Sequence, residues 1–176
     1  QFCLIVRRRI KNVDGFYAYE RKRGALKQLC EFIKYNNHDF KCVENLDLLK
    51  NVKYVATFDA DTLVPPATLE ELICAIAHPF NKPKIKDGRV VKGSTLVAPT
   101  VKNTLFGGTA FSNVFSFGGG IDSYSNRGIE LYNDVFNSGT YSGKGIFDVD
   151  CFLQACKQIK DNTVLSHDII EGELLN

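Results

Sequence analysis

Four short segments of this 176-residue chain combine reactive side chains with a spacing that suits chemistry. In Phe58-Asp59-Ala60-Asp61-Thr62 two carboxylates stand two residues apart. At the end of a strand such a pair can share one hard cation, which prefers oxygen ligands and bridges to phosphate oxygens. In a sugar transfer that cation would neutralise a departing diphosphate. The same residues also suit an Asp-rich turn that caps the following helix. The run YVATFDADTLVPP says more than the two aspartates alone, because a strand precedes them and a proline-started helix follows.

The second segment, Glu20-Arg21-Lys22-Arg23-Gly24-Ala25-Leu26, sets cations and a glycine at a helix start. Unpaired N–H groups there suit phosphate or carboxylate ligands, and a solvent-facing basic helix start reads the same way. The third, Gly139 to Asp148, is rich in glycine, which permits close backbone approach to a ligand. Lys144 is not followed by Ser or Thr after a GxxxxGK, so a Walker loop is excluded and an ordinary Gly-rich turn remains open. In the fourth, Leu165 to Gly172, Ser166 can cap a helix whose first turn holds Asp168. That carboxylate is placed to act as a general base on an acceptor hydroxyl, with His167 to position it. Simple capping and complementation of the helix dipole account for it equally.

The elements that must hold these segments follow from periodicity. Phe2 to Arg7 reads as a buried strand, and Val52 to Phe58 as a second that stops at the aspartates. Arg23 to Tyr35 carries Leu26, Leu29, Cys30 and Ile33 at amphipathic-helix spacing. A second helix is expected to open at Pro65-Pro66, bury Leu69, Leu72, Ile73 and Ile76, and end near Pro79. A charged connector spans 81–92, Thr95 to Val101 reads as a strand, and 107–120 resists assignment. Val149 to Ile159 and Asp168 to Leu175 read as helices. Strands alternating with helices predict an α/β sandwich with a mostly parallel sheet, whose ligands bind beyond the carboxyl ends of the strands.

Bulk composition narrows the function classes. The length supports one domain. Lys plus Arg number 22 against 20 for Asp plus Glu, too even a balance to argue for nucleic acid. The Arg7-Arg8-Arg9 run reads as a solvated strand end. The six cysteines form no CxxC pair and no zinc-ligand cluster, and are expected to be buried thiols in a reducing compartment. No long apolar run is present, so the segment itself reads as soluble. A strand-like opening and a helix-like close predict a piece of a longer protein.

In this order, ERKRGAL (20–26), FDADT (58–62), AHPFNKP (77–83), GGGIDSY (118–124), SGKGIFDVDCF (142–152) and LSHDIIEG (165–172) resemble glycosyltransferase family 84, the transferase domain of cyclic β-1,2-glucan synthases. The resemblance spans nearly the whole chain. It implies a GT-A, Rossmann-like fold, incomplete at both ends, with residues 1–176 forming a single partial domain. It implies donor binding by Lys22, Gly24, Asp59 and Asp61, and a Mg²⁺ or Mn²⁺ ion on Asp61 and Asp59. Acceptor binding falls to Tyr141, Ser142, Gly143 and Lys144, and the base is Asp168. The implied reaction is an inverting transfer of glucose from UDP-glucose to a growing β-1,2-glucan. The implied parent protein carries membrane and phosphorylase-like regions and sits at the cytoplasmic face of the bacterial inner membrane. The resemblance extends to the related family-2 processive synthases, which continue into a QxxRW-like segment that the pattern matched here does not include.

Two other readings compete. A truncated, non-catalytic sugar-nucleotide-binding module would keep the same motifs. A haloacid-dehalogenase-type phosphatase needs DxDxT, but Leu63 holds the fifth place and Thr62 comes one residue early.

Overall fold

A computed structural model describes residues 2–13, 15–86, 89–101, 108–115, 135, 141–161, 163 and 168–175. Among them the chain runs through β1 (Ile5–Arg7), β2 (Ile10–Asn12), β3 (Gly15–Tyr17), α1 (Arg21–Tyr35), β4 (Phe40–Val43), β5 (Tyr54–Thr57), α2 (Thr68–Ala77), β6 (Lys84–Lys86), β7 (Arg89–Lys92), β8 (Leu96–Val97), α3 (Ala110–Phe115), β9 (Gly145–Asp148), α4 (Val149–Cys156) and α5 (Asp168–Leu175). The fold is mixed α/β.

The central sheet has the order β5-β9-β8, with Tyr54 opposite Asp148, Thr57 opposite Gly145 and Leu96 opposite Phe147. Both outer strands pair antiparallel with β9, so β5 and β8 run in the same direction on either side of it. The expected mostly parallel sheet is not found: every pairing among the described residues is antiparallel. The cause is β9, which returns late in the chain and enters between two strands of common direction. Four residues behind a glycine-rich stretch read as a turn rather than as a strand.

Alternation along β9 builds the core. Ile146 faces α2, where Leu72 and Ile76 are buried against it. Phe147 points to the opposite face and joins Cys30 of α1, Phe152 and Cys156 of α4, and Leu175 of α5. The Phe147 and Phe152 rings stack with centroids 4.4 Å apart. The sheet is thus sandwiched between helices, as expected from the element order. Each fully buried side chain of this kind contributes about 1.5–3 kcal/mol.

Four local expectations change. Pro65-Pro66 forms a turn in which the Thr68 N–H donates to the Pro65 carbonyl, and α2 begins only at Thr68. Leu69 and Ile73 are half-exposed, because α2 touches the sheet along the narrow Leu72/Ile76 seam. The 81–92 connector contains the β6/β7 hairpin, which its lysines disguise in the sequence. It is docked by Asn81, whose side chain donates to the Ala75 carbonyl (2.8 Å) and whose carbonyl accepts from the Ser94 N–H (3.0 Å). Cys30, Cys151 and Cys156 are buried as expected, whereas Cys74 lies on the exposed side of α2. Burial, with Asp148 beside it, pushes the Cys151 thiol up to about 12.

Candidate functional site

Strand β5 ends at Thr57, and Asp59 projects just beyond it. Its carboxylate is gripped from two sides. Oδ1 accepts from Lys22 Nζ at 2.8 Å and Oδ2 pairs with Lys144 Nζ at 2.7 Å. The hydrogen bonds from Lys144 and Lys22 hold Asp59 down to about 2, well below the usual carboxylate range. Asp61 is exposed two residues on.

Lys22 and Arg23 are neighbours in sequence but part company in space. Lys22 is exposed and reaches Asp59, and it also donates to the Gly143 carbonyl at 2.9 Å. Arg23 turns inward, with a side chain only 1% exposed. It pairs with Glu20 at 3.0 Å and donates to the carbonyls of Cys156 (3.1 Å) and Ile159 (2.9 Å) at the end of α4. Asp161 receives a further bond from Arg23, and a short one from the Tyr19 hydroxyl that pushes this phenol up to about 12. Gly24 is buried, and a Cβ there would lie 2.2 Å from the Tyr19 carbonyl oxygen and 2.8 Å from an Arg7 nitrogen. Its backbone role is to let that loop and Arg7 close on α1. Arg7 is itself committed, donating to Gln28, Arg21 and Tyr19, while Arg8 pairs with Asp39 on the surface.

The segment before β9 is pinned from inside. Tyr141 is 2% exposed and packs in the core rather than on a ligand-facing wall. Its hydroxyl lies 3.2 Å from Thr57 Oγ1, which in turn donates to the Gly143 carbonyl at 3.1 Å. A single carbonyl therefore receives both Lys22 and Thr57. Thr57 is given no site role by the sequence motifs. Its one signal is that of a polar residue inside the apolar run just ahead of Asp59. Ser142 is half-buried.

Helix α5 delivers Asp168. Its last turn is anchored where the Thr95 N–H and hydroxyl donate to the Leu175 carbonyl. Gly172 sits against Tyr141, where an added Cβ would lie 2.9 Å from the Tyr141 Cβ. With both points fixed, the first residue of the helix meets the Gly143 turn. Gly143 has φ +76, and the point its Cβ would occupy is 2.9 Å from Lys22 Nζ and 3.0 Å from an Asp168 carboxylate oxygen. A Gly143→Ala change is expected to cost about 1–2 kcal/mol of backbone strain. It should also push Lys22 and Asp168 apart. A lowered unfolding midpoint of the variant in urea denaturation would register the strain.

Lys22, Asp59, Gly143, Lys144 and Asp168 thus converge from four separate segments. Ser166 and His167 lie outside the described residues. Chemically, the site offers two ammonium groups suited to phosphate oxygens, an exposed carboxylate at Asp61, and a carboxylate at Asp168 able to take a proton. Among the described residues no three His, Cys, Asp or Glu side chains gather into a metal cage. Asp59 and Asp61 are carboxylates of the kind a magnesium-type cation takes one or two of, and here both oxygens of Asp59 are engaged by lysines while Asp61 is exposed.

No helix among the described residues is long and apolar enough to cross a membrane. No protein-family profile matches the chain. It is similar to the cyclic beta-(1,2)-glucan synthase NdvB of Rhizobium meliloti (strain 1021), with 34% identity over 181 residues. The match covers 98% of this chain and 6% of that protein. At that identity along nearly its whole length, the chain is a homologue of one short segment of that synthase.

Proposed function

We propose that residues 1–176 form part of a GT-A-type glycosyltransferase domain of family 84, which transfers glucose from UDP-glucose to a growing β-1,2-glucan. The carrying observation is the meeting of Lys22, Asp59, Lys144 and Asp168 at the end of β5. The homology to a segment of a cyclic β-1,2-glucan synthase supports a glucan as the substrate class. In this reading the domain belongs to a larger membrane protein with a phosphorylase-like region, and works at the cytoplasmic face of the bacterial inner membrane.

The donor diphosphate lies against Lys22 and Lys144, whose ammonium groups donate to its oxygens. Gly24 and Gly143 keep the backbone close. Asp61 and Asp59 would hold a Mg²⁺ or Mn²⁺ ion, which when bound would neutralise charge on the leaving diphosphate. Asp168 accepts the proton of the glucan 2-hydroxyl as that oxygen bonds to the anomeric carbon. The bond from that carbon to the diphosphate breaks on the opposite face, and UDP carries away the electron pair. The configuration inverts to β. Ser142 and the backbone around Gly143 border the acceptor side, with Tyr141 anchoring them from the core.

The test is to incubate the intact protein with labelled UDP-glucose and Mg²⁺ or Mn²⁺. Equal amounts of UDP and glucan-bound label are expected, with both lost on chelation. Release of neither, with a β-glucan acceptor supplied, would overturn the reading.

A further inference from the structure

Both oxygens of Asp59 are taken by ammonium groups, and the two lysines arrive from opposite ends of the chain. Ion pairs as exposed as these add little to stability. Their clustering beside Asp168 therefore asks for another explanation. Lys22 and Asp59 have side chains about two-fifths exposed, and Lys144 one-fifth, so all three can be reached by a ligand from solvent.

We infer that Lys22 and Lys144 form an exchangeable clamp. Without nucleotide they close on Asp59 and exclude a divalent cation, and with a nucleoside diphosphate they turn to its phosphate oxygens and release Asp59 to the cation. This rests on the proposed nucleotide site and adds an order to it: cation and nucleotide bind as one. A divalent ion entering alone would meet two positive charges at contact distance, a repulsive arrangement. A diphosphate reverses the balance by offering the lysines several oxygens in place of one carboxylate. The carboxylate left behind is then neutralised by the ion that arrives with the phosphates. Lys22 can turn while keeping one of its three donors on the Gly143 carbonyl. Lys144, expected from the sequence on the acceptor side, is thereby assigned to the donor.

The experiment measures Mn²⁺ binding to the intact protein by electron paramagnetic resonance, with and without UDP, counting only the binding that D59N abolishes. Wild type should bind Mn²⁺ at least roughly tenfold more tightly with UDP than alone. K144M and K22M should each bind Mn²⁺ alone roughly tenfold more tightly than wild type. Each should lose UDP affinity on the order of tenfold to a hundredfold. K144R, which keeps the charge, should bind Mn²⁺ alone more weakly than K144M. If UDP binds normally but wild type takes Mn²⁺ equally well without it, the clamp is overturned and the nucleotide site stands. The clamp is likewise overturned if neither methionine variant strengthens binding of the ion alone. If wild type binds no UDP even with Mn²⁺, the nucleotide site falls, and the clamp with it.

Discussion

Replacing Arg23 with methionine is expected to lower the unfolding free energy by about 3–5 kcal/mol, the usual penalty for breaking a buried ion pair. The magnitude follows from what stays behind. Glu20, with a side chain 3% exposed, would lose the guanidinium that pairs with it. The carbonyls of Cys156 and Ile159 would lose their donor at the end of α4. Because the charge left alone is the main cost, adding Glu20→Gln to Arg23→Met should recover a substantial part of the loss. Urea denaturation followed by circular dichroism, run as a double-mutant cycle, measures both numbers. A single-variant loss below about 1 kcal/mol would mean the pair behaves as a surface pair.

Asp168→Asn is expected to lower kcat for glucosyl transfer by roughly 10² to 10⁴, the range of general-base catalysis. The donor KM should move little, since the side chains on the diphosphate in this reading are Lys22 and Lys144. Asparagine keeps the size of the side chain at the Gly143 turn and removes only its ability to take a proton. Initial rates of UDP release by the full-length protein, with acceptor saturating, give kcat and KM separately. Unchanged transfer in the variant would remove Asp168 from the mechanism. A large rise in KM at constant kcat would make it a binding group instead.

The longer elements can be read from the sequence because their periods repeat enough to be seen. The α1 spacing of Leu26, Cys30 and Ile33 is the clearest case, and β5 shows by its stop at the aspartates. The short strands β2, β3, β4 and β9 contain too little alternation to leave a readable period, and lysines at 84, 86 and 92 mask β6 and β7. Within the site, each motif can be located in its own segment. Their convergence cannot, because Lys22, Asp59 and Lys144 are joined only by tertiary folding. The inward turn of Arg23 has no such sequence clue: Lys22, four residues before Leu26 and seven before Leu29, fits the apolar spacing of α1 as well as Arg23 does, three before Leu26 and seven before Cys30, yet only Arg23 is buried. The identity of Asp59 as the shared partner of two lysines has no sequence signature at all.

The late arrival of β9 also shapes how the chain can be made. During synthesis β5 and β8 leave the ribosome first, and residues 98–144 must follow before the strand that separates them exists. At ordinary elongation rates that interval is on the order of seconds. Until it ends, neither strand has its ladder partner, and the seams of α2 and α1 have no Ile146 or Phe147 to pack against. Over that interval the nascent chain therefore carries open strand edges and bare apolar surface that only the arrival of β9 covers.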